Sequence, residues 1–160
     1  MPNGPTAPST YAILQAIQGF MQNATLANGS PAYLNTIIGG LKDYTDVLPV
    51  GVIFPTQGTV ERYTLGRSAK IHDIPHVLIG SVVPYTVAAT AMEQLCDIRD
   101  AMIFQFAQTA TLNMAGPIII NVVPNSEKWS FFTLNGTPVQ GHQFLLSVKY
   151  QYTLPNGPQP

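Results

Sequence analysis

The segment "HQFLLSVKYQYTL", from His142 to Leu154, alternates apolar and polar side chains along nearly its whole length. The apolar positions of one face are Phe144, Leu146, Val148, Tyr150, Tyr152 and Leu154. This period of two is typical of a β-strand, and at about 3.3 Å per residue the strand spans roughly 40 Å. Its register is fixed, because a slip of one residue would expose the whole apolar face. We expect Tyr150–Leu154 to project toward a neighbouring subunit, since a small domain covers a strand of this length with difficulty.

Further strands are predicted upstream, in segments rich in β-branched or aromatic residues and bounded by turn residues. They are Val50–Phe54, Thr59–Leu65, Ile74–Val83, Pro117–Val123 and Lys128–Leu134. Asn135-Gly136 follows the last of these directly and predicts a hairpin into the final strand. Residues 30–46 show no clear period, and we interpret "IIGGLKDYTD", residues 37–46, as a short helix or a loop.

Two segments have the period of an amphipathic helix instead. The first runs from Tyr11 to about Ala24, with Ser9 or Thr10 as its cap, and the second runs from the region of Tyr85 to about Gln108. Two helices and hairpin-connected strands predict an α+β fold, a single, mostly antiparallel (mixed), twisted sheet of about six strands with both helices packed against it. We interpret residues 1–160 as one domain, with an ordered core over about 10–154 and Pro/Gly-rich tails at 1–9 and 155–160.

The second helix is unusually apolar around its circumference. One stripe consists of Ala88, Ala91, Leu95, Ile98, Met102 and Phe106. The opposite side carries Glu93, Asp97, Asp100 and Phe104, and a flank between the two carries Met92, Cys96, Arg99 and Ile103. A helix that packs once on a sheet needs an apolar stripe only about 100° wide. The extra apolar flank therefore predicts a second burial partner.

Composition restricts the classes of function. Charged residues make up 9% of the chain, against about 25% in a typical soluble protein, so the surface is covered by uncharged groups or buried against other chains. A net charge of −1 argues against non-specific attraction to nucleic acid. The lone Cys96 fits a small core residue in a reducing compartment. The sequence contains no predicted signal peptide and no apolar segment long enough to span a membrane.

Candidate catalytic and metal-binding residues are few. His72 and His76 have helical spacing, but Pro75 between them prevents the helix that would bring them together. Phosphate-binding and nucleophile motifs are absent from the sequence. We therefore predict no enzyme activity, no cofactor and no metal site. The alternative class, a small-ligand-binding or enzymatic α+β domain, would have to rely on His72, Asp73 and His142.

A small basic cluster, Arg62, Arg67 and Lys70, lies on a predicted hairpin beside Glu61. It fits a solvated loop or, alternatively, a contact with an acidic partner surface.

The order of these elements resembles that of the tail terminator and head–tail joining (neck) proteins of long-tailed, siphovirus-like bacteriophages. The resemblance covers residues from about Tyr11 to Leu154. It rests on the N-terminal amphipathic helix, on "PHVLIGSVVP", on the long helix "TAMEQLCDIRDAMIFQFAQTATL" and on the closing strand "GHQFLLSVKYQYTL". Such proteins have a helix-decorated sheet and assemble as six-fold rings at the end of the tail tube.

The resemblance implies a structural virion protein, made in the host cytoplasm, whose ring ends tube polymerisation at the head-proximal end of the tail and joins the tail to the neck. Its expected partners are its own copies, the tail tube protein and a neck or head-completion protein. DNA passes through the ring without specific binding. Another tail or neck role, such as tube or head-completion protein, is the alternative within this class.

A ring requires two unlike surfaces on each subunit. The candidate interface residues are Met92, Cys96, Arg99, Ile103, Tyr150, Tyr152 and Leu154, and the candidate lumen-facing acidic stripe is Glu93, Asp97 and Asp100. Arg99 has no carboxylate three or four residues away on its helix. Arg99 pairs either with a carboxylate or backbone carbonyl of a neighbouring subunit, or it reaches water, Glu61 or Asp73 of its own chain.

Overall fold

The computed structural model describes residues 9–41, 44, 47–65, 68–108, 112 and 118–154, and describes the backbone alone at 61–65, 68–72, 118–123 and 152–154. In chain order the elements are α1 (Thr10–Gln22), β1 (Asn35–Ile38), β2 (Val50–Pro55), β3 (Thr59–Leu65), β4 (Ser68–Ile74), β5 (His76–Pro84), α2 (Ala88–Gln108), β6 (Ile118–Leu134) and β7 (Thr137–Leu154). The Pro/Gly-rich tails at 1–8 and 155–160 lie outside the described residues.

The strands form one mixed sheet, and its order confirms the predicted α+β class with two helices and a mostly antiparallel sheet. The sheet runs β1-β2-β5-β7-β4-β3, and β6 pairs with the other edge of β7. The β1–β2 pair is parallel, whereas the remaining pairs are antiparallel. β3–β4 and β6–β7 are pairs of consecutive strands, whereas the other antiparallel pairs join strands that are distant in sequence.

β7 organises the sheet because two strands share one of its edges. β5 pairs with Val139–Ser147 of β7, and β4 pairs with Tyr150–Leu154. Between them lies Pro75, which has no backbone N–H to donate. Its carbonyl still accepts a hydrogen bond of 3.1 Å from Val148 N–H. β4 and β5 therefore lie end to end along β7.

The connection from β2 to β3 passes over Pro75, where β4 ends and β5 begins. The N–H of Thr56 donates to the carbonyl of His76 at 2.7 Å. A Cβ atom on Gly58 would lie 2.7 Å from the Ile74 carbonyl oxygen and 2.9 Å from the Pro75 Cα. Only glycine allows this close approach of two backbones.

The main core lies between the helices and one face of the sheet. α1 buries Ile13, Leu14, Ile17 and Met21, and α2 buries Ala91, Leu95, Ile98, Met102 and Phe106. β7 contributes Phe144, Leu146, Val148 and Tyr150, all at most 2% exposed. The predicted register of β7 is therefore confirmed for the residues whose side chains are described. At about 1.5 to 3 kcal/mol for each large apolar side chain, this layer is the main stabilising element.

A second, smaller cluster covers part of the opposite face. Val50, Val82 and Val139 are buried there beneath Ile37, Leu41, Tyr44, Leu48, Phe132 and Leu134. Part of the covering comes from the segment between β1 and β2, which explains why the strand "VGVIF" is apolar at successive positions.

The predicted hairpin at Asn135-Gly136 is confirmed. Leu134 pairs with Thr137 across a two-residue turn, and the turn residues have φ values of +50° and +79°. Positive φ at both positions defines a type I′ turn, which asparagine and glycine tolerate best.

Three predictions of local structure are wrong in part. Within residues 37–46, predicted as a short helix or a loop, Ile37 and Ile38 belong to strand β1, because parallel pairing with the buried β2 overrides a weak local pattern. The predicted strand from Ile74 to Val83 is divided at Pro75, with β4 before it. The two predicted strands Pro117–Val123 and Lys128–Leu134 are one bulged strand, β6, with register shifts between Ile119 and Asn121 and between Asn125 and Lys128.

Candidate functional site

Arg99 has a partner within its own chain. Its Nε and Nη2 atoms donate to the two carboxylate oxygens of Glu127, at 2.5 Å and 3.0 Å, and Nη1 donates to Asp100 at 2.8 Å. Two parallel N–H···O contacts are the strongest geometry available to a guanidinium and a carboxylate. The pair joins α2 to β6. The carboxylate is neither Glu61 nor Asp73, and the interface role of Arg99 stays a prediction.

A β-bulge positions Glu127 for this contact. Asn125 pairs with Leu145 and Lys128 pairs with Gln143, so Ser126 and Glu127 oppose a single residue of β7. Ser126 has φ +52°, in the left-handed region. A bulge re-aims the side chains beside it. Here it places the carboxylate on the helix-covered face of the sheet.

His142 lies beneath the same carboxylate. Its Nε2 atom is 3.2 Å from Glu127 Oε1, and its side chain is 1% exposed. A carboxylate only accepts hydrogen bonds, so Nε2 carries the hydrogen and donates it. The ring of Trp129 covers His142, with 4.3 Å between ring centroids. Trp129 thus shields the imidazole from water.

The electrostatics of this cluster favour a stable structural contact. The hydrogen bonds from Arg99 lower the pKa of Glu127, and the carboxylates of Glu127 and Asp100 raise the pKa of Arg99. Burial lowers the pKa of His142, and the nearby Glu127 carboxylate opposes that effect. The imidazole is therefore neutral near pH 7. We name Arg99, Glu127 and His142 the clamp.

The apolar flank of α2 runs beside the clamp, where α2 packs on β6. Met92 is 39% exposed, and Cys96 and Ile103 are partly buried. On the adjacent strand Trp129 is 40% exposed and Phe131 is 62% exposed. Ile103 packs against the main core and Met92 stays exposed, so the second burial partner of this flank stays a prediction.

The acidic residues Glu93, Asp97 and Asp100 all lie on the exposed side of α2, as predicted. Asp97 and Asp100 border a groove of about 670 Å³ between α2 and the segment that follows α1. Its other lining residues are Asn23, Thr25, Leu26, Ala27, Asn28, Ala101, Phe104, Gln105 and Gln108. The lumen-facing role of the stripe stays a prediction, since it depends on neighbouring copies.

The end of β7 is held within its own chain. The Tyr150 hydroxyl donates to Asp73 at 2.7 Å, and its side chain is 2% exposed. The described conformation thus buries Tyr150 and leaves it little surface for a neighbour. Tyr152 and Leu154 pair through their backbones with Ile71 and Ala69 of β4. Their side chains, like those of Arg62 and Lys70, and the whole of Arg67, lie outside the described part.

Of the residues named for an alternative enzyme, Asp73 and His142 lie far apart. Asp73 pairs with Tyr150, which lies eight residues along β7 from His142, or roughly 26 Å. His76 contacts Ser147 at 2.9 Å, and Ser147 accepts a hydrogen bond from Asn125 on the sheet face opposite the clamp. The side chain of His72 is not among those described. Among the described residues no group of His, Cys, Asp or Glu has the arrangement of a metal site.

Glu127 and Trp129 are the residues that sequence reasoning missed. The signal is the polar stretch "NSEKW", which interrupts an otherwise apolar strand pattern. A charged residue at such an interruption indicates a bulge that directs its side chain elsewhere.

No protein-family model matches the chain, and no curated protein matches its sequence. In the described ranges, neither helix is long and apolar enough to cross a membrane.

Proposed function

We propose that this protein is a structural virion component, a ring at the head-proximal end of a phage tail tube that ends tube polymerisation and joins the tail to the neck. The order of its elements, which resembles that of tail terminator proteins, supports the proposal. In this proposal the chain has no enzymatic role and needs no cofactor. It works in the virion after synthesis in the host cytoplasm.

The observation that carries the proposal is the exposed apolar surface of a chain with 9% charged residues. The exposed large hydrophobic side chains are Tyr11, Leu34, Val47, Phe54, Val60, Val87, Met92, Phe104, Trp129 and Phe131. Exposed aromatic and methionine side chains and depleted charge characterise the centres of protein–protein interfaces. A subunit of a permanent assembly has this kind of surface.

In the ring, the α2 flank of Met92, Cys96 and Ile103 contacts the next subunit, with Arg99 at its centre. The acidic stripe of Glu93, Asp97 and Asp100 faces the lumen. Like charge then keeps DNA from adhering while it passes. The tail tube protein binds one side of the ring, and the neck or head-completion protein binds the other.

The groove beside α2 favours one alternative from a different class. Its volume of about 670 Å³ falls within the range of small-molecule sites. Amide and carboxylate groups line it together with the exposed Phe104. A small-ligand-binding domain would use this groove, and the acidic stripe would then serve as its polar wall.

The test is the assembly state and its effect on tubes. Native mass measurement and electron microscopy of the purified protein, alone and with tail tube protein, should show a discrete ring that stops tube growth. Open-ended polymers of the protein itself would instead indicate a tube protein. A monomer that leaves tubes unaffected and binds small molecules in the groove would overturn the proposal.

A Phe131→Gln variant and an Asp97→Asn variant separate the surfaces involved. The first should impair ring formation. The second should leave the ring intact, because it alters only the proposed lumen charge.

A further inference from the structure

We propose that the free edge of β6, over Lys128–Leu134, pairs as a β-strand with the free edge of β3, Thr59–Leu65, in a second copy of this chain. β6 pairs with β7 alone, and β3 pairs with β4 alone, within the described part of the chain. The two edges lie at opposite ends of the sheet. This inference names the contact between subunits of the proposed ring, and it rests on the proposed function for the number of copies.

The backbone of β6 has donors and acceptors directed away from the sheet. The N–H of Tyr85 donates to the Pro138 carbonyl at 3.2 Å, so Pro138 directs its carbonyl toward β5. Its partner across the hairpin, Thr133, therefore directs its own N–H and C=O outward. Directions alternate along an antiparallel ladder, so Phe131 and Trp129 also direct their N–H and C=O groups away from β7, where no described strand pairs with them.

Soluble proteins protect such edges with charges, prolines, bulges or covering loops. β6 has Pro124 and its bulge before Lys128, but from Lys128 to Leu134 its one charged residue is Lys128. This segment also carries exposed aromatic rings. Phe131 packs edge-on against Tyr85, with ring centroids 4.9 Å apart, and is still 62% exposed. An unprotected edge beside exposed rings fits a strand that is covered in the assembly.

The edge of β3 matches this one in length. Both segments have seven residues. In a fully overlapped register, Arg62 lies opposite Phe131 whether the strands are parallel or antiparallel.

Such a contact can build a ring, because a heterologous contact closes into a ring when its rotation closes. β6 and β3 are different surfaces of one subunit, so their contact is heterologous and repeats from copy to copy. Phe131 and Trp129 together offer roughly 200 Å² of exposed ring surface, taking about 150 to 250 Å² for each whole side chain. A stable interface buries about 800 Å² on each partner. The contact therefore needs further surface, and we assign part of it to the 39% exposed Met92 of the α2 flank.

A proline substitution tests the backbone contact. Thr133→Pro removes one outward N–H, and proline is tolerated on edge strands at such positions. We expect the variant to keep cooperative unfolding while its self-association weakens at least tenfold in sedimentation analysis. The matched control Thr133→Ala keeps the N–H and should associate like the wild type. Unchanged association of the proline variant, or a wild type that stays monomeric at the highest attainable concentration, would overturn the inference.

Crosslinking tests the identity of the partner edge. In a Cys96→Ser background, used once it is shown to associate like the wild type, Thr133→Cys is combined with Val60→Cys for an antiparallel contact or with Thr64→Cys for a parallel one. A short bismaleimide should link neighbouring copies into a ladder in one of these double variants, whereas Thr133→Cys alone should not form the ladder. Dimers from the single variant would show that β6 pairs with β6 and would refute the β3 assignment.

The two proposals fail separately. A ring that ends tube growth without the crosslinked ladder removes the edge pairing and leaves the tail function. A crosslinked ladder in an assembly that does not affect tubes supports the edge pairing and removes the tail function.

Discussion

Replacing Glu127 with alanine tests the clamp most directly, because one carboxylate serves two partners. The variant loses an ion pair whose side chains are each 33% exposed, and such partly exposed pairs contribute about 0.5 kcal/mol. It also leaves the Nε2–H of the 1% exposed His142 without an acceptor, at a cost of about 1.5 kcal/mol. We expect a decrease of about 2 kcal/mol in the free energy of unfolding.

For a domain of this size, that loss lowers Tm by about 4 to 8 °C. Urea unfolding followed by circular dichroism measures it, with Asp97→Asn as a control that changes an exposed carboxylate without a described ion pair. Glu127→Gln keeps an acceptor for His142, so it should cost less than Glu127→Ala. A Glu127→Ala variant within about 0.5 kcal/mol of the wild type, and additive with Arg99→Ala, would refute our account of the clamp.

Three further outcomes are expected. Burial lowers the folded-state pKa of His142 below its ordinary 6.5, so the contribution of His142 to stability is complete above pH 6.5 and is lost as the pH falls. The free energy of unfolding in urea should therefore be lower at pH 5.5 than at pH 7.5, and the difference should be smaller in His142→Gln. Phe144 lies in the core, and Phe144→Ala should lower the free energy of unfolding by about 3 to 5 kcal/mol. Phe104 is 65% exposed, and Phe104→Ala should change it by under about 0.5 kcal/mol. Equal effects in thermal unfolding would contradict the described burial. Gly58→Ala inserts a methyl group into the backbone contact described above and should cost about 1 to 3 kcal/mol, while Gly40→Ala, which meets no atom within 4 Å, should leave the unfolding midpoint nearly unchanged.

Local sequence patterns predict those parts of the fold that depend only on residues close together in sequence. The alternation of β7 gives its buried face, and the spacing of Leu95, Ile98, Met102 and Phe106 gives the packed side of α2. Asn135-Gly136 gives the turn, because few other dipeptides adopt positive φ at both positions. In each case neighbouring residues alone carry the information.

The clamp could not be predicted in the same way. Glu127 is 28 residues from Arg99 along the chain, and a bulge that depends on pairing with β7 brings them together. β1 and the division at Pro75 depend likewise on strands distant in sequence. The question of what Arg99 pairs with is therefore a tertiary one, and helical spacing addresses only partners on the same helix.

The end-to-end arrangement of β4 and β5 along β7 has a consequence for how the molecule opens. β5 is held by a layered core, whereas β4 and β3 are attached through the last five residues of β7, Tyr150–Leu154. Proteins exchange their amide hydrogens in cooperative units whose stability follows their buried contacts. We therefore expect the β3–β4 hairpin to form one such unit and the helix-covered half another. In that case the amide hydrogens of the hairpin should exchange at a lower free-energy cost than those of β5 and β7, without global unfolding.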